Sequence, residues 1–439
     1  MLRIITQQTE AQTELKRIRD RTRDLEFRQA EEVVKEILEG VKRRGNQALV
    51  DYAEKFEGQS LNPQQVKVSG SDLDAAYQQI SKELLVAIQQ ACLKIEHFHR
   101  QRLPKSWVQF DEDDVVLGRR YQAVERAGLY IPNGHSPLLS LVLLQAIPAK
   151  VAKVGQIVMV TPPDSQGKIH PAILVAAQEA GVTEIYRIGG ASAIAALAYG
   201  TETIPKVDVI TGLGNIYVTL AKKMVNDSVK IDALAEASEL LIIADHQANA
   251  GEIAADLIAQ AERTPLAASI LLTSDPSIAS QVQQQVTQRL QNHPQRILTE
   301  KAIAHYGLIV VVHSLDEAVQ LSNFFAPQHL ELAVSDPWEL LEQIRHAGAI
   351  FLGTSTPMII GDFLGGSAVS VGTAGAVRYA SALGVEIFMK HSNLIQYSPV
   401  ALKKMSNTLQ VLAEAEGLFA GVESVKLRLE NQNSDENNL

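Results

Sequence analysis

At 439 residues the chain is longer than one hydrophobic core supports, so two or three domains are expected. It is 46% hydrophobic and 21% charged, and no apolar run reaches the length of a membrane span, which reads as a soluble protein. A formal net charge of -10 argues against a general nucleic-acid binder, the basic triplet Lys42, Arg43 and Arg44 being only local.

In chain order, residues 8–58 carry a helical pattern. "AEEVVKEILEGVKRRGNQALVDYAEKF" spaces its apolar positions by three and four, with Gly40 and Gly45 as interruptions. Further helix is expected over 72–103, after which "VVLGRRYQAVERAGLYIP" alternates as strands do and stops at Pro132. From residue 150 strand and helix follow each other strictly: "VGQIVMVTPP", "HPAILVAAQEAG", "TEIYRIGG", "ASAIAALAYG" and "KVDVITGLGN". The same grammar resumes in "SELLIIAD", "AGEIAADLIAQAER", "AASILLTSD", "ASQVQQQVTQRL" and "HYGLIVVVHS". Two α/β units follow, each a parallel sheet covered by helices in the Rossmann manner. Residues 400–428 return to helix, and the polar tail "NQNSDENNL" is expected to be disordered. With a single cysteine, Cys92, and an N-terminus lacking the apolar core of a secretory signal, the expected location is cytoplasmic.

The motifs are individually weak. "RIGGASA" and "TGLGNIYV" each follow a strand and open a helix, where free N–H groups hold phosphate, but neither is a dinucleotide fingerprint. His135 in "YIPNGHSP" and His391 in "MKHSN" read first as solvated loop histidines. Gln260, Glu262 and Arg263 in "AQAERTPL" read as a solvated helix end. Asp362 in "GTSTPMIIGDFLGG" is either a ligand or an Asx turn.

Together these stretches resemble the histidinol dehydrogenase family, through "RAGLYIPNG", "AIPAKVAKV", "AALAYGTETIPKVDVITGLGNIYV", "AQAE", "NFFAPQHLEL", "AGAIFLG", "GDF" and "FMKHS", on to "AEGLFAG". The resemblance implies two incomplete Rossmann-like domains with helical terminal segments, in an intertwined homodimer whose sites borrow residues from both chains. It also implies oxidation of an amino alcohol to an amino acid by two hydride transfers to NAD, with zinc holding the substrate and a Glu-His pair moving protons. The domains it suggests are an N-terminal segment over 1–25, a first Rossmann-like domain over 26–129 plus 237–381, and a second, on the NAD side, over 130–236. A helical dimerisation segment follows over 382–430, and then the tail over 431–439.

Carried over residue by residue, the resemblance breaks at the chemistry. The family's zinc ligands are Gln and His of Q-A-E-H, Asp of G-D-Y and His of E-G-L-x-x-H. Here Gln260 and Asp362 remain, while Arg263 and Gly421 stand at the two histidine positions. Zinc favours nitrogen and sulfur donors, and a guanidinium repels a cation, so zinc is expected to be absent and Arg263 to pair with Asp362. The pair of A-P-E-H-L is Gln328 and His329, a carboxamide beside the histidine where the family has a base. Among the substrate-side equivalents, Val369 replaces a histidine, while Ser238 and Glu416 are kept. On the nucleotide side Tyr130 and Asn215 match and Ser192 replaces a glutamine, so NAD binding stands as doubtful. The expectation is therefore a non-catalytic or repurposed homologue, a dimer with an unknown small-molecule or protein partner. The alternatives are active NAD-dependent histidinol oxidation, with His391 or His135 as substitute ligands, and a metal-free dehydrogenase for another small alcohol or aldehyde.

Overall fold

The computed structural model describes residues 2–21, 27–57, 62, 65–133, 136–233, 238–366 and 373–436. They form two compact units, 1–103 with 124–388, and 104–123 with 389–439.

The first unit contains two parallel sheets. Six strands lie in the order Arg3–Ile5, Gly307–Val311, Ala268–Thr273, Glu239–Ala244, His329–Ala333 and Ala349–Leu352. The four inner strands are mostly apolar because both faces are covered, with Glu239, Ser269, Thr273, His329 and Glu331 as their polar members. Leu240 and Ile242 pack under helices Ala250–Ala261 and Pro276–Leu290, while Leu241 and Ile243 face Gln8–Arg19 and Leu315–Phe325. Each such side chain contributes about 1.5–3 kcal/mol by leaving water.

Five strands make the other sheet, in the order Glu184–Arg187, Gln156–Thr161, Arg126–Tyr130, Val209–Gly212 and Lys230–Ile231. Numbered along the chain this is 3-2-1-4-5, a doubly wound half whose winding reverses between Arg126–Tyr130 and Val209–Gly212. A crevice opens at the carboxyl ends of such a pair, because the helices on either side leave in opposite directions.

The boundaries differ from the sequence expectation where pairing overrides composition. Strand Arg126–Tyr130 runs across the border drawn after 129, and Phe27–Arg44 buries Val34, Ile37, Leu38 and Val41 with Val160, Ile194 and Ile210 of the second domain rather than the first. The segment 382–430 is not wholly helical. Met389–Gln396 is a strand, hydrogen-bonded antiparallel to Val116–Ala123, which also pairs with Trp107–Phe110 in the second unit. Its helices are Pro399–Ala415 and Phe419–Glu436, so helix continues into the tail expected to be disordered. No described helix is long and apolar enough to cross a membrane.

Candidate functional site

The crevice of the five-stranded sheet holds a cavity of about 710 Å³, lined by Tyr130, Asn133, Gly190, Ser192, Asn215 and Tyr217 among others. Tyr130 ends its strand, and its hydroxyl accepts a hydrogen bond from the Gly190 N–H at 3.2 Å. Ser192, in the first turn of Gly190–Tyr199, donates its hydroxyl to the Gly189 carbonyl at 2.9 Å. Asn215 caps helix Ile216–Met224, its Oδ1 accepting from the N–H groups of Tyr217 and Val218. That cap uses the carbonyl end of the carboxamide and leaves the NH₂ end as the donor for a ligand. The three nucleotide-side residues named from the sequence thus share one cavity, beside two helix N-termini suited to phosphate. A second cavity of about 510 Å³ adjoins it through Pro132, Asn133 and Pro162. This setting fits a dinucleotide.

The second constellation sits at the amino ends of Glu239–Ala244 and His329–Ala333. His329 is buried, and its Nδ1 lies 3.0 Å from the Glu239 carbonyl. A carbonyl can only accept, so Nδ1 carries the proton, and in the neutral ring the lone pair is on Nε2. Gln328 Oε1 accepts from the Glu239 N–H at 3.2 Å, so the two neighbours hold opposite ends of one residue's backbone. Ser238 donates to Gln260 Oε1 at 3.2 Å, and Gln260 Nε2 is buried without a hydrogen-bond partner among the described residues.

Beneath this lies a pair that was not singled out from the sequence. Arg21 donates to Glu239 Oε1 at 3.1 Å, with side-chain exposures of 2% and 0%. Burial pushes the Glu239 carboxyl up from its ordinary value, and the Arg21 charge opposes that shift. Nothing in "TELKRIRDR" distinguishes this arginine from its solvated neighbours, since its partner lies 218 positions away.

Arg263 pairs with Asp362, as expected from their charges. Around Gln260 and Asp362 this chain offers one carboxamide and one carboxylate already taken by a guanidinium. No group of three or more His, Cys, Asp or Glu among the described residues is arranged to hold a metal ion. By itself that donor set does not fit four-coordinate zinc, and no step below is routed through a metal. Val369 and His135 lie outside the described residues. Glu416, Gly421 and His391 belong to the second unit, where His391 packs its ring on Tyr121 at 5.5 Å between centroids.

Fold and crevice define a doubly wound α/β protein with a nucleotide-sized cavity at its switch point. A model of the histidinol dehydrogenase family matches residues 20–429. Histidinol dehydrogenase 2 of Trichormus variabilis is 61% identical over 98% of this chain and 99% of its own length. Histidinol dehydrogenase of Thermosynechococcus vestitus is 60% identical over 98% and 100%. The crystal structure of histidinol dehydrogenase from Elizabethkingia anophelis matches with a TM-score of 0.92 at 34% identity, covering 99% of this chain and 98% of that one. The chain belongs to the histidinol dehydrogenase family.

These relatives overturn the expectation of a retired active site. Proteins about 60% identical from end to end are named for the enzyme itself, and nothing in the described residues shows a loss of function. That expectation rested on Arg263 and Gly421 at the two histidine-ligand positions and on Gln328 in place of a base, and full-length relatives named for the enzyme outweigh it. The Gln328 carboxamide is an acceptor for a backbone N–H, and the imidazole beside it is hydrogen-bonded through Nδ1 to the same residue's carbonyl. The expectation that zinc is absent and NAD doubtful falls as well, because it followed from the same reading of a retired site.

Proposed function

We propose that this protein is an NAD-dependent dehydrogenase that oxidises histidinol to histidine, acting in histidine biosynthesis in the cytoplasm. The observation that carries the reading is the meeting of Tyr130, Ser192 and Asn215 around one cavity at the switch point of a doubly wound sheet.

NAD supplies the hydride acceptor. The chain's task is to bind and orient both molecules and to move protons. His329 takes the hydroxyl proton on Nε2 as hydride leaves the carbinol carbon, while Nδ1 stays hydrogen-bonded to the Glu239 carbonyl. Water then adds to the aldehyde and a second hydride leaves. One alcohol, two NAD and one water give one carboxylate, two NADH and three protons. Gln328 positions the same backbone that orients His329. Ser238, Gln260 and the Arg263–Asp362 pair supply polar contacts on the substrate side.

The reading includes a homodimer. The second unit exposes Phe110, Ile395, Val400, Leu412 and Phe419, an apolar surface of the kind a second copy covers. Calorimetric titration with NAD tests the proposal. Saturable binding that weakens at least tenfold in Asn215→Leu supports it, and no detectable binding by the wild type overturns it.

A further inference from the structure

Lys222, on helix Ile216–Met224, is 2% exposed. Its ammonium donates to the Gly212 carbonyl at 2.7 Å, to the Ala233 carbonyl at 2.8 Å and to the Asp232 carboxylate. All three ammonium donors are thereby used. The other Asp232 oxygen accepts from the Gly212 N–H at 3.0 Å, so both polar backbone atoms of Gly212 end on this one ion pair. Gly212 closes its strand at φ +128°, where a side chain is strained, and a Cβ there would collide with the Tyr130 carbonyl. The turn it begins, "GLGN", delivers Asn215 to the cavity two strands share at the switch point.

Burying an ion pair costs desolvation, and apolar residues of similar volume often serve stability as well or better. A buried lysine at this place calls for a different explanation, and its three acceptors supply one. They lie on the turn before Asn215 and on the stretch that leaves this sheet for Ser238 and the next one.

We infer that Lys222, with Asp232, is a positioning residue for the nucleotide site: it fixes the Gly212–Asn215 turn in the conformation that binds NAD. The inference rests on the proposed nucleotide cavity. Neither group touches the cofactor; they act through Gly212.

The test compares wild type, Lys222→Met, Asp232→Asn and the double variant Lys222→Met/Asp232→Leu as full-length proteins. Readouts are NAD affinity, KM and kcat with histidinol, thermal midpoint, and amide hydrogen exchange. Lys222→Met is expected to raise Kd and KM for NAD at least tenfold, change kcat less than threefold, and speed exchange over 212–218 but not over 329–333. The double variant is expected to regain most of the thermal midpoint without regaining affinity. Affinity within twofold of wild type in Lys222→Met, or recovered together with stability in the double variant, overturns the inference. If Lys222→Met does not fold, Asp232→Asn decides by the same affinity criterion. If wild type binds no NAD, the proposed function fails separately, and exchange over 212–218 still decides: acceleration confined there upholds the positioning role, and uniform acceleration refutes it.

Discussion

Replacing Arg21 by methionine removes the guanidinium that supports the His329 site and leaves the stem's volume in place. Its donors serve the Leu266 carbonyl at 2.7 Å, the Ile18 carbonyl at 2.8 Å, the Ser238 carbonyl at 3.2 Å and Glu239 Oε1 at 3.1 Å. The Glu239 carboxylate would be left fully buried with backbone donors alone, the N–H of Ala374 at 3.2 Å and that of Gln328. Breaking a buried pair from one side costs about 3–5 kcal/mol, because the surviving charge stays out of water. With a urea slope of about 3 kcal/mol/M, the unfolding midpoint should fall by roughly 1–1.7 M. The sign of the pH dependence follows from the raised Glu239 carboxyl. A carboxyl whose folded pKa lies above its unfolded value favours the folded state at low pH and loses that contribution as pH rises. Without Arg21 the carboxyl rises further, so the destabilisation should be smaller at pH 5 than at pH 8. Urea unfolding of both proteins at the two pH values measures this. A loss below about 1 kcal/mol at pH 8, or an equal loss at both pH values, would refute the reasoning.

Three further outcomes are expected. His329→Asn retains a donor for the Glu239 carbonyl but lacks Nε2, and should lower kcat by about 10²–10⁴ with NAD affinity unchanged; a smaller loss removes His329 as the proton carrier. Glu331 is raised to about 8, chiefly by burial and then by Asp256, so stability should decline as pH climbs from the ordinary carboxylate range through 8. Glu331→Gln should flatten that decline, by an amount on the order of a few kcal/mol, in thermal or urea unfolding followed against pH. Phe419→Asp places a charge on the exposed apolar surface of the second unit and should shift the mass in solution from twice 47.8 kDa toward one chain. A wild-type protein already at one chain mass would remove the dimer.

Alternation of apolar runs with turn residues was enough to foresee two parallel sheets, since strands such as "ELLIIA" are buried on both faces and run apolar after the opening Glu239. The edge strands Arg3–Ile5, Trp107–Phe110 and Met389–Gln396 were not legible. Their assignment depends on partners up to 305 positions away, as in Arg3 with Leu308, and "MKHSNLIQ" carries polar residues because it is solvated. Tyr130, Ser192 and Asn215 were named through the family resemblance, and each sits at a strand end or helix start beside one cavity. Lys222 was not legible, because "LAKKMV" gives no sign that Lys222 is buried and Lys223 exposed. Gln328 misled for the opposite reason. Its identity was plain, but its hydrogen bond to the Glu239 N–H, which makes it a scaffold group, exists only in the folded sheet.

The most direct measurement is the stoichiometry of turnover by the purified protein supplied with histidinol and excess NAD, following NADH by absorbance and histidine by chromatography. Two NADH formed per histidine, lost in His329→Asn, is the expected result. A folded wild-type protein that binds NAD yet forms neither product would contradict it.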